Sequence, residues 1–294
     1  MILLLPAVAL AMCEALSWSS AQLGDQHEPH AGLLVPVRVQ GNERVVRMQL
    51  DTAAPTSSLY GRIADQAGLP QTVRYLDIAG QRVDLSPRRI DQPGSFDVNT
   101  GLVGTLGGDA LEILGLMSLD LVHDLVCIGD EAEAHASDVR TWTAVDLSYN
   151  VYLIRPLRLV RLFELVGYPT LEATIAGQTR RVLLDTGSAP VDLLTSRRGL
   201  FRRWAGSGVG HADHGVFTAS SWGAATQFTR AEVDLNSTLG EVAFSTRGVY
   251  FWRHRRMNYT EIDAILGLKP FVGRHVLVLD YRNSRLGLLD AGSP

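Results

Sequence analysis

Val182-Leu183-Leu184-Asp185-Thr186-Gly187-Ser188 carries an apolar strand straight into Asp-Thr-Gly, and Val45-Val46-Arg47-Met48-Gln49-Leu50-Asp51-Thr52-Ala53 repeats the arrangement in the first half of the chain. Each Asp ends a strand. A turn signal between β-rich runs precedes both: Gly41-Asn42-Glu43 follows Val35-Pro36-Val37-Arg38-Val39, and Gly177-Gln178 follows Ala173-Thr174-Ile175. Apolar runs on either side of such a turn are expected to pair as a hairpin. One Asp after a strand means little, because such turns form for backbone reasons alone.

Downstream of each Asp lies a second shared unit. Residues 105–128 align without a gap on residues 265–288, so that Leu106-Gly107 falls on Leu266-Gly267 and Leu119-Asp120 on Leu279-Asp280. An internal repeat of this kind organises the chain before any secondary structure is assigned. Short Val/Leu/Ile runs separated by Gly recur at strand spacing, and few windows hold a helical period. Residues 111–117 and 270–274 are the expected helical turns. The chain is therefore expected to be all-β: two similar β-barrel-like lobes related by a pseudo-twofold axis, with short helices and a cleft between them.

Such an axis can bring equivalent residues face to face, which would place Asp51 and Asp185 in one site. Two carboxylates at hydrogen-bond distance do not readily both ionise, so one keeps a proton while the other stays an anion. The pair then offers an acid and a base together, and a water held between them becomes a nucleophile. Asp120 and Asp280 are also repeated, but they stand at strand ends before turns, where an Asx-turn role is expected instead.

These residues resemble the pepsin/retropepsin superfamily of aspartic proteases in its duplicated, single-chain, bilobal form of bacterial type. Leu184-Asp185-Thr186-Gly187-Ser188 is similar to the family's active-site loop. Ala264-Ile265-Leu266-Gly267, with Val278-Leu279-Asp280-Tyr281 through Leu286-Gly287-Leu288, resembles its hydrophobic-hydrophobic-Gly segment and closing hairpin. The resemblance implies a catalytic pair, Asp51 and Asp185, supported by Thr52, Ala53, Thr186, Gly187 and Ser188. It implies that Thr52 and Thr186 bond across the pseudo-axis and that Ser188 bonds Asp185. It also implies that Leu106-Gly107 and Leu266-Gly267 thread beside the Asp loops. The first lobe departs from the pattern at Ala53, where Gly is usual, and at Ala54, where a hydroxyl is usual. A Cβ at Ala53 fits if the backbone keeps φ negative, and the missing hydroxyl is expected to move the pH optimum to less acid values than pepsin's. Family members cover their substrate with a hairpin flap, for which residues 73–85, turning near Ala79-Gly80 with Tyr75 as the aromatic, and residues 206–215 leading into Val216-Phe217-Thr218 are the candidates.

Composition excludes rival classes. With 27 Lys+Arg against 31 Asp+Glu, the net charge of −4 leaves no electrostatic footprint for nucleic acid. At 46% hydrophobic and 20% charged, the 294 residues are neither disordered nor fibrous, and their number fits about two domains. The basic side is 26 Arg and one Lys, Lys269. The runs around Arg155, Arg158 and Arg161 and at Arg253-His254-Arg255-Arg256 are expected to be solvated. His211, Asp213 and His214 lack a further ligand that sequence can identify, so no metal and no cofactor is expected. Gly206-Ser207-Gly208-Val209-Gly210 lacks the context of a phosphate loop.

Residues 2–12 are apolar and as long as a signal-peptide core, shorter than the roughly 20 residues that cross a bilayer. Ser19-Ser20-Ala21 offers a cleavage site before Gln22, although no positive residue precedes the apolar run. The expected organisation is a signal peptide or N-terminal anchor at 1–21, a first lobe at 22–135, a linker at 136–165 and a second lobe at 166–294. The two cysteines, Cys13 and Cys127, support no disulfide framework, and a cut before Gln22 would separate them. The expected function is that of an exported aspartic endopeptidase, periplasmic or secreted, acting as a monomer on protein or peptide held in extended conformation. The alternative is a non-catalytic peptide-binding or structural protein on the same scaffold.

Overall fold

In the strand Val45–Leu50, Val46, Met48 and Leu50 are buried while Val45 and Arg47 are exposed, the period-two pattern of a strand with one face on a core. Its counterpart Gln178–Leu184 ends in three consecutive buried residues, Val182, Leu183 and Leu184, as a strand covered on both faces does. The structure is a computed structural model that describes residues 12–42, 44–91, 101–156, 161–206, 215–221, 224–252 and 262–290. It is mostly β, with two β-rich lobes built on an eight-stranded and a thirteen-stranded sheet. The helices among the described residues are short: Gly61–Gln66, Gly108–Leu114, Asp130–Asp138 and Arg198–Gly206. The expected turn at 111–117 is thus a helix that begins and ends three residues earlier, and Leu116 and Met117 already belong to the strand Leu116–Asp120. Residues 270–274 form hydrogen-bonded turns, with Val272 N–H on Leu268 O at 3.2 Å.

Each lobe contains the same crossing. In the first, Gln26–Val39 and Val45–Leu50 form a hairpin, and Leu102–Leu106 lies parallel to the second strand with Leu50 opposite Leu106. Ser58–Tyr60, which follows the Asp51 loop, returns antiparallel to Leu102–Leu106 on its other side. In the second, Arg161–Ile175 pairs Gln178–Leu184, Leu184 stands opposite Leu266, and Leu193–Thr195 returns against Ala264–Leu266. The second hairpin turns at Ala176 and Gly177, both at positive φ (50° and 73°), as a tight hairpin turn requires.

The lobes meet through the repeated closing strands. Leu116–Asp120 runs antiparallel to His275–Asp280, with Leu116 opposite Asp280, Ser118 opposite Val278 and Asp120 opposite Val276. Val278 is the residue that aligns with Ser118 in the sequence repeat, so a residue here faces its own counterpart. Only a pseudo-twofold axis through that pair produces such a register. Leu119 and Leu277 are fully buried beside it, and each buried Leu contributes about 1.5–3 kcal/mol through loss of water contact.

The two cysteines are joined, which corrects the expectation that they support no crosslink. Met12–Ala15 pairs Leu125–Ile128 at the edge of this shared sheet, Cys13 stands directly opposite Cys127, and the two form a disulfide. Sequence could not show this, because the pairing depends on a strand register between segments 114 residues apart. Cys127→Ser is expected to destabilise the protein by about 2–4 kcal/mol, through the freedom the unfolded chain regains; denaturant unfolding of the oxidised wild type and the variant measures it.

The strand Gln26–Val39 continues past the end of its partner at Asp51, pairs there with Ser17–Leu23, and reaches the second lobe. Gln26 bonds Arg230, and Glu28 forms an ion pair with Lys269. Residues 136–165 hold the end of the helix Asp130–Asp138 and most of the ribbon of Trp142–Pro156 on Arg161–Ile175. Residues 76–83 do form a hairpin turning at Ala79-Gly80, but Leu76–Ile78 pairs with Val37–Val39, opposite Val46. That point is five residues before Asp51, about 16 Å along an extended strand. Tyr75 is engaged by Arg82, whose guanidinium lies 4.0 Å from its ring centre. In the second lobe Gly215–Ser221 pairs with the start of Ala224–Leu239; residues 207–214, and His211, Asp213 and His214 with them, lie outside the described residues, as do Arg253-His254-Arg255-Arg256.

Candidate active site

Asp51 and Asp185 each leave a strand at the junction of the lobes, and the structure brings them together. The backbone fixes both: Asp51 N–H donates to Leu106 O and Asp185 N–H to Leu266 O, each at 3.0 Å. The strands carrying Leu106 and Leu266 end in Gly107 and Gly267, where the chain passes against the loop following each Asp. A Cβ on Gly107 would lie 2.7 Å from Ala54 O, and one on Gly267 2.2 Å from Val191 O and 2.3 Å from Ser188 O. These glycines serve close approach between backbones, not an unusual φ.

Thr52 and Thr186, both buried, cross-link the loops. Thr52 N–H donates to Thr186 Oγ1 at 3.0 Å and Thr186 N–H to Thr52 Oγ1 at 3.1 Å. Each hydroxyl then donates to the opposite strand, Thr52 to Leu184 O at 2.7 Å and Thr186 to Leu50 O at 2.9 Å. Four bonds thus tie the lobes around the pseudo-axis, and every polar atom of the two side chains is satisfied in a dry setting.

Around the carboxylates the halves differ. Asp51 Oδ1 accepts from the N–H groups of Ala53 and Ala54 at 2.9 and 3.0 Å. Asp185 accepts from Ser188 N–H at 3.1 Å and also from the Ser188 hydroxyl at 2.7 Å. Ala54 provides no such hydroxyl. The non-glycine residues of positive φ among those described are Ala79, Asp124, Ala176 and Ser284, so Ala53 sits in its loop without backbone strain. Its side chain belongs to a buried apolar cluster of the second lobe that includes Tyr168 and Leu183. Gly187, by contrast, must be glycine for space, since a Cβ there would meet Asp51 Cγ at 2.6 Å.

Asp51 lies against the second-lobe loop, its Cγ 2.6 Å from where a Cβ on Gly187 would stand, and each carboxyl is among the groups that shift the other. Burial pushes the Asp51 carboxyl well above the ordinary carboxylate range, the charge of Asp185 adds to the rise, and the N–H groups of Ala53 and Ala54 oppose it. Burial also raises Asp185, opposed by the Ser188 hydroxyl and the N–H groups of Ser188 and Gly187. The two carboxyls titrate as a pair, and the Ser188 hydroxyl, which has no counterpart at Ala54, favours the charge on Asp185 and the proton on Asp51. The pair offers an acid and a base side by side.

Other groups complete the site that sequence reasoning did not find. Ser57, buried, donates its hydroxyl to Asp109 at 2.6 Å and accepts Gly107 N–H at 3.0 Å, bracing the first-lobe crossing. Gln49 Nε2 donates to Gly187 O across the lobe boundary at 3.2 Å. Position 49 reads in sequence as the outward side of an alternating strand, so nothing marked it. Asp120 and Asp280 act in turns: Asp120 Oδ1 accepts from Val122 and His123 N–H at 3.0 Å, and Asp280 accepts from Asn283 N–H at 3.2 Å and Arg285 Nε at 2.7 Å. Among the described residues no three His, Cys, Asp or Glu side chains converge as metal ligands would.

No protein-family model matches the chain, and no curated protein matches it in sequence. Among solved structures, the chain is similar to the aspartic proteinase from Irpex lacteus, with a TM-score of 0.47 and 12% identity over 89% of this chain and 95% of that one.

Proposed function

We propose that the chain is an aspartic endopeptidase that hydrolyses peptide bonds without a cofactor, with Asp51 and Asp185 as its catalytic pair. The observation that carries this is the juxtaposition of two carboxyls, half-buried Asp51 from one lobe and buried Asp185 from the other, within a frame of cross-lobe threonine bonds. A water between them gives a proton to Asp185 as its oxygen attacks the peptide carbonyl carbon. Asp51 gives its proton to the carbonyl oxygen, so a neutral tetrahedral intermediate forms and the pair's single proton now resides on Asp185. Transfer of that proton to the nitrogen, with return of a hydroxyl proton to Asp51, breaks the C–N bond and restores the pair.

Substrate lies extended between the lobes, held by main-chain pairing and selected by pockets for apolar side chains. Both carboxyls come from one chain, so a monomer suffices. The protein works outside the cytoplasm, periplasmic or secreted, with Cys13 retained in the fold and not lost to a cut before Gln22; the Cys13–Cys127 disulfide supports this, since such bonds persist in oxidising compartments.

The test is hydrolysis of casein and of a peptide library by folded protein between about pH 3 and 7, with products read by mass spectrometry. Cleavage beside apolar residues is expected. No cleavage by correctly folded protein would leave a peptide-binding role for the scaffold. Activity needs one proton on the pair, and burial raises both carboxyls, so both limbs of the pH–rate profile are expected above the ordinary carboxylate range. A profile centred below about pH 3 refutes the assignment of proton positions.

A further inference from the structure

Gln49 lies in the first lobe, half-buried, two residues before Asp51, yet its side chain serves the second-lobe loop. Its Nε2 donates to Gly187 O at 3.2 Å. The same peptide unit carries the Ser188 N–H, which donates to Asp185 Oδ1 at 3.1 Å. The three groups form one chain, from the Gln49 amide through the Gly187–Ser188 peptide to the Asp185 carboxylate. A carbonyl that accepts a hydrogen bond makes the N–H of its own amide a stronger donor.

The pseudo-twofold supplies an internal control. Leu50 opposite Leu106 corresponds to Leu184 opposite Leu266, so the counterpart of Gln49 is Leu183. Leu183 is fully buried and apolar. It has no donor to offer the Ala53–Ala54 peptide, whose N–H serves Asp51. The second-lobe carboxylate thus has two features that the first lacks: the Ser188 hydroxyl and a peptide donor that is itself hydrogen-bonded.

We propose that Gln49 is a positioning residue that acts through the Gly187–Ser188 peptide to keep the negative charge of the pair on Asp185 and the proton on Asp51. The titratable groups facing the pair are the two carboxyls themselves, with Tyr281 near Asp51 and Glu112 near Tyr281. The inference deepens the hydrolase reading, and only the kinetic part of its test rests on that reading.

The primary measurement is a carboxyl-carbon NMR titration of the full chain labelled at Asp, which requires no catalysis. Gln49→Met keeps the volume and removes the donor. It is expected to move the lower titration of the pair upward by about half a pH unit, and the acid limb of any pH–rate profile with it. Gln49→Lys, which restores a donor of similar reach, is expected to return the titration to the wild-type position or below it. Gln49→Asn, one methylene short, is expected to behave as Gln49→Met and provides the test if the Met variant does not fold. A folded donor-less variant whose carboxyls titrate as in the wild type overturns the proposal, as does a shift that Gln49→Lys fails to reverse. If the titration moves as expected but the wild type cleaves no peptide, the hydrolase reading fails and the role of Gln49 stands.

Discussion

Asp185→Asn is expected to remove peptide hydrolysis, lowering kcat by at least about 10³-fold, and Asp51→Asn to do the same. An amide at either position can neither take the water's proton nor supply one to the carbonyl oxygen, so the loss falls on kcat, with little change in KM. Asp185→Asn is also expected to stabilise the fold. Burial raises both carboxyls above their unfolded values, so the native state binds protons more tightly than the unfolded chain. Stability from this source is fully present below the ordinary carboxylate range and is lost as pH rises through the folded-state values. At neutral pH the wild type therefore bears a buried charge on Asp185 that Asp185→Asn removes, and Tm should rise on the order of 2–4 °C. The gain should vanish in acid, and Asp51→Asn, which leaves that charge in place, should not show it. Calorimetry at the two pH values measures it, and a lower Tm for Asp185→Asn at neutral pH would show that the charge on Asp185 is not a strain on the fold.

Gly267→Ala is expected to cost about 4 kcal/mol or more, enough to leave little folded second lobe. A methyl group would have to fit 2.2 Å from Val191 O and 2.3 Å from Ser188 O, and both are backbone atoms with no rotamer to yield. Making room separates the strand Ala264–Leu266 from the loop it braces, and with it the Asp185 N–H bond to Leu266 O. Circular dichroism and denaturant unfolding report the loss. Gly273→Ala is the control: its φ of 71° disfavours a side chain, but no atom lies within 4 Å of the new carbon, so the cost should be only about 1 kcal/mol.

The repeat at Leu106-Gly107 and Leu266-Gly267 was legible because close backbone approach accepts only one residue type and therefore leaves a mark in the chain. The strands ending in Asp were legible through their apolar runs and the turns before them. The residues 73–85 showed a real hairpin but not its location, since turn chemistry is local and says nothing about which end of a sheet the turn occupies. The Cys13–Cys127 bond was hidden for the opposite reason: nothing local precedes it, and only the strand register sets Cys13 opposite Cys127. Ser57, Asp109 and Gln49 are ordinary polar residues whose partners lie in other elements, and an alternating strand disguised Gln49 as an outward position.

From the amino-acid order alone came the duplication, the all-β character and the two acidic residues at strand ends, because each rests on short-range pattern or on space that only glycine leaves. Tertiary structure decided that the two carboxyls meet and that their surroundings are unequal. That depends on burial, on four threonine bonds spanning the lobes and on donors that differ between two nearly equal loops, all of them energies of contact between segments that only folding brings together.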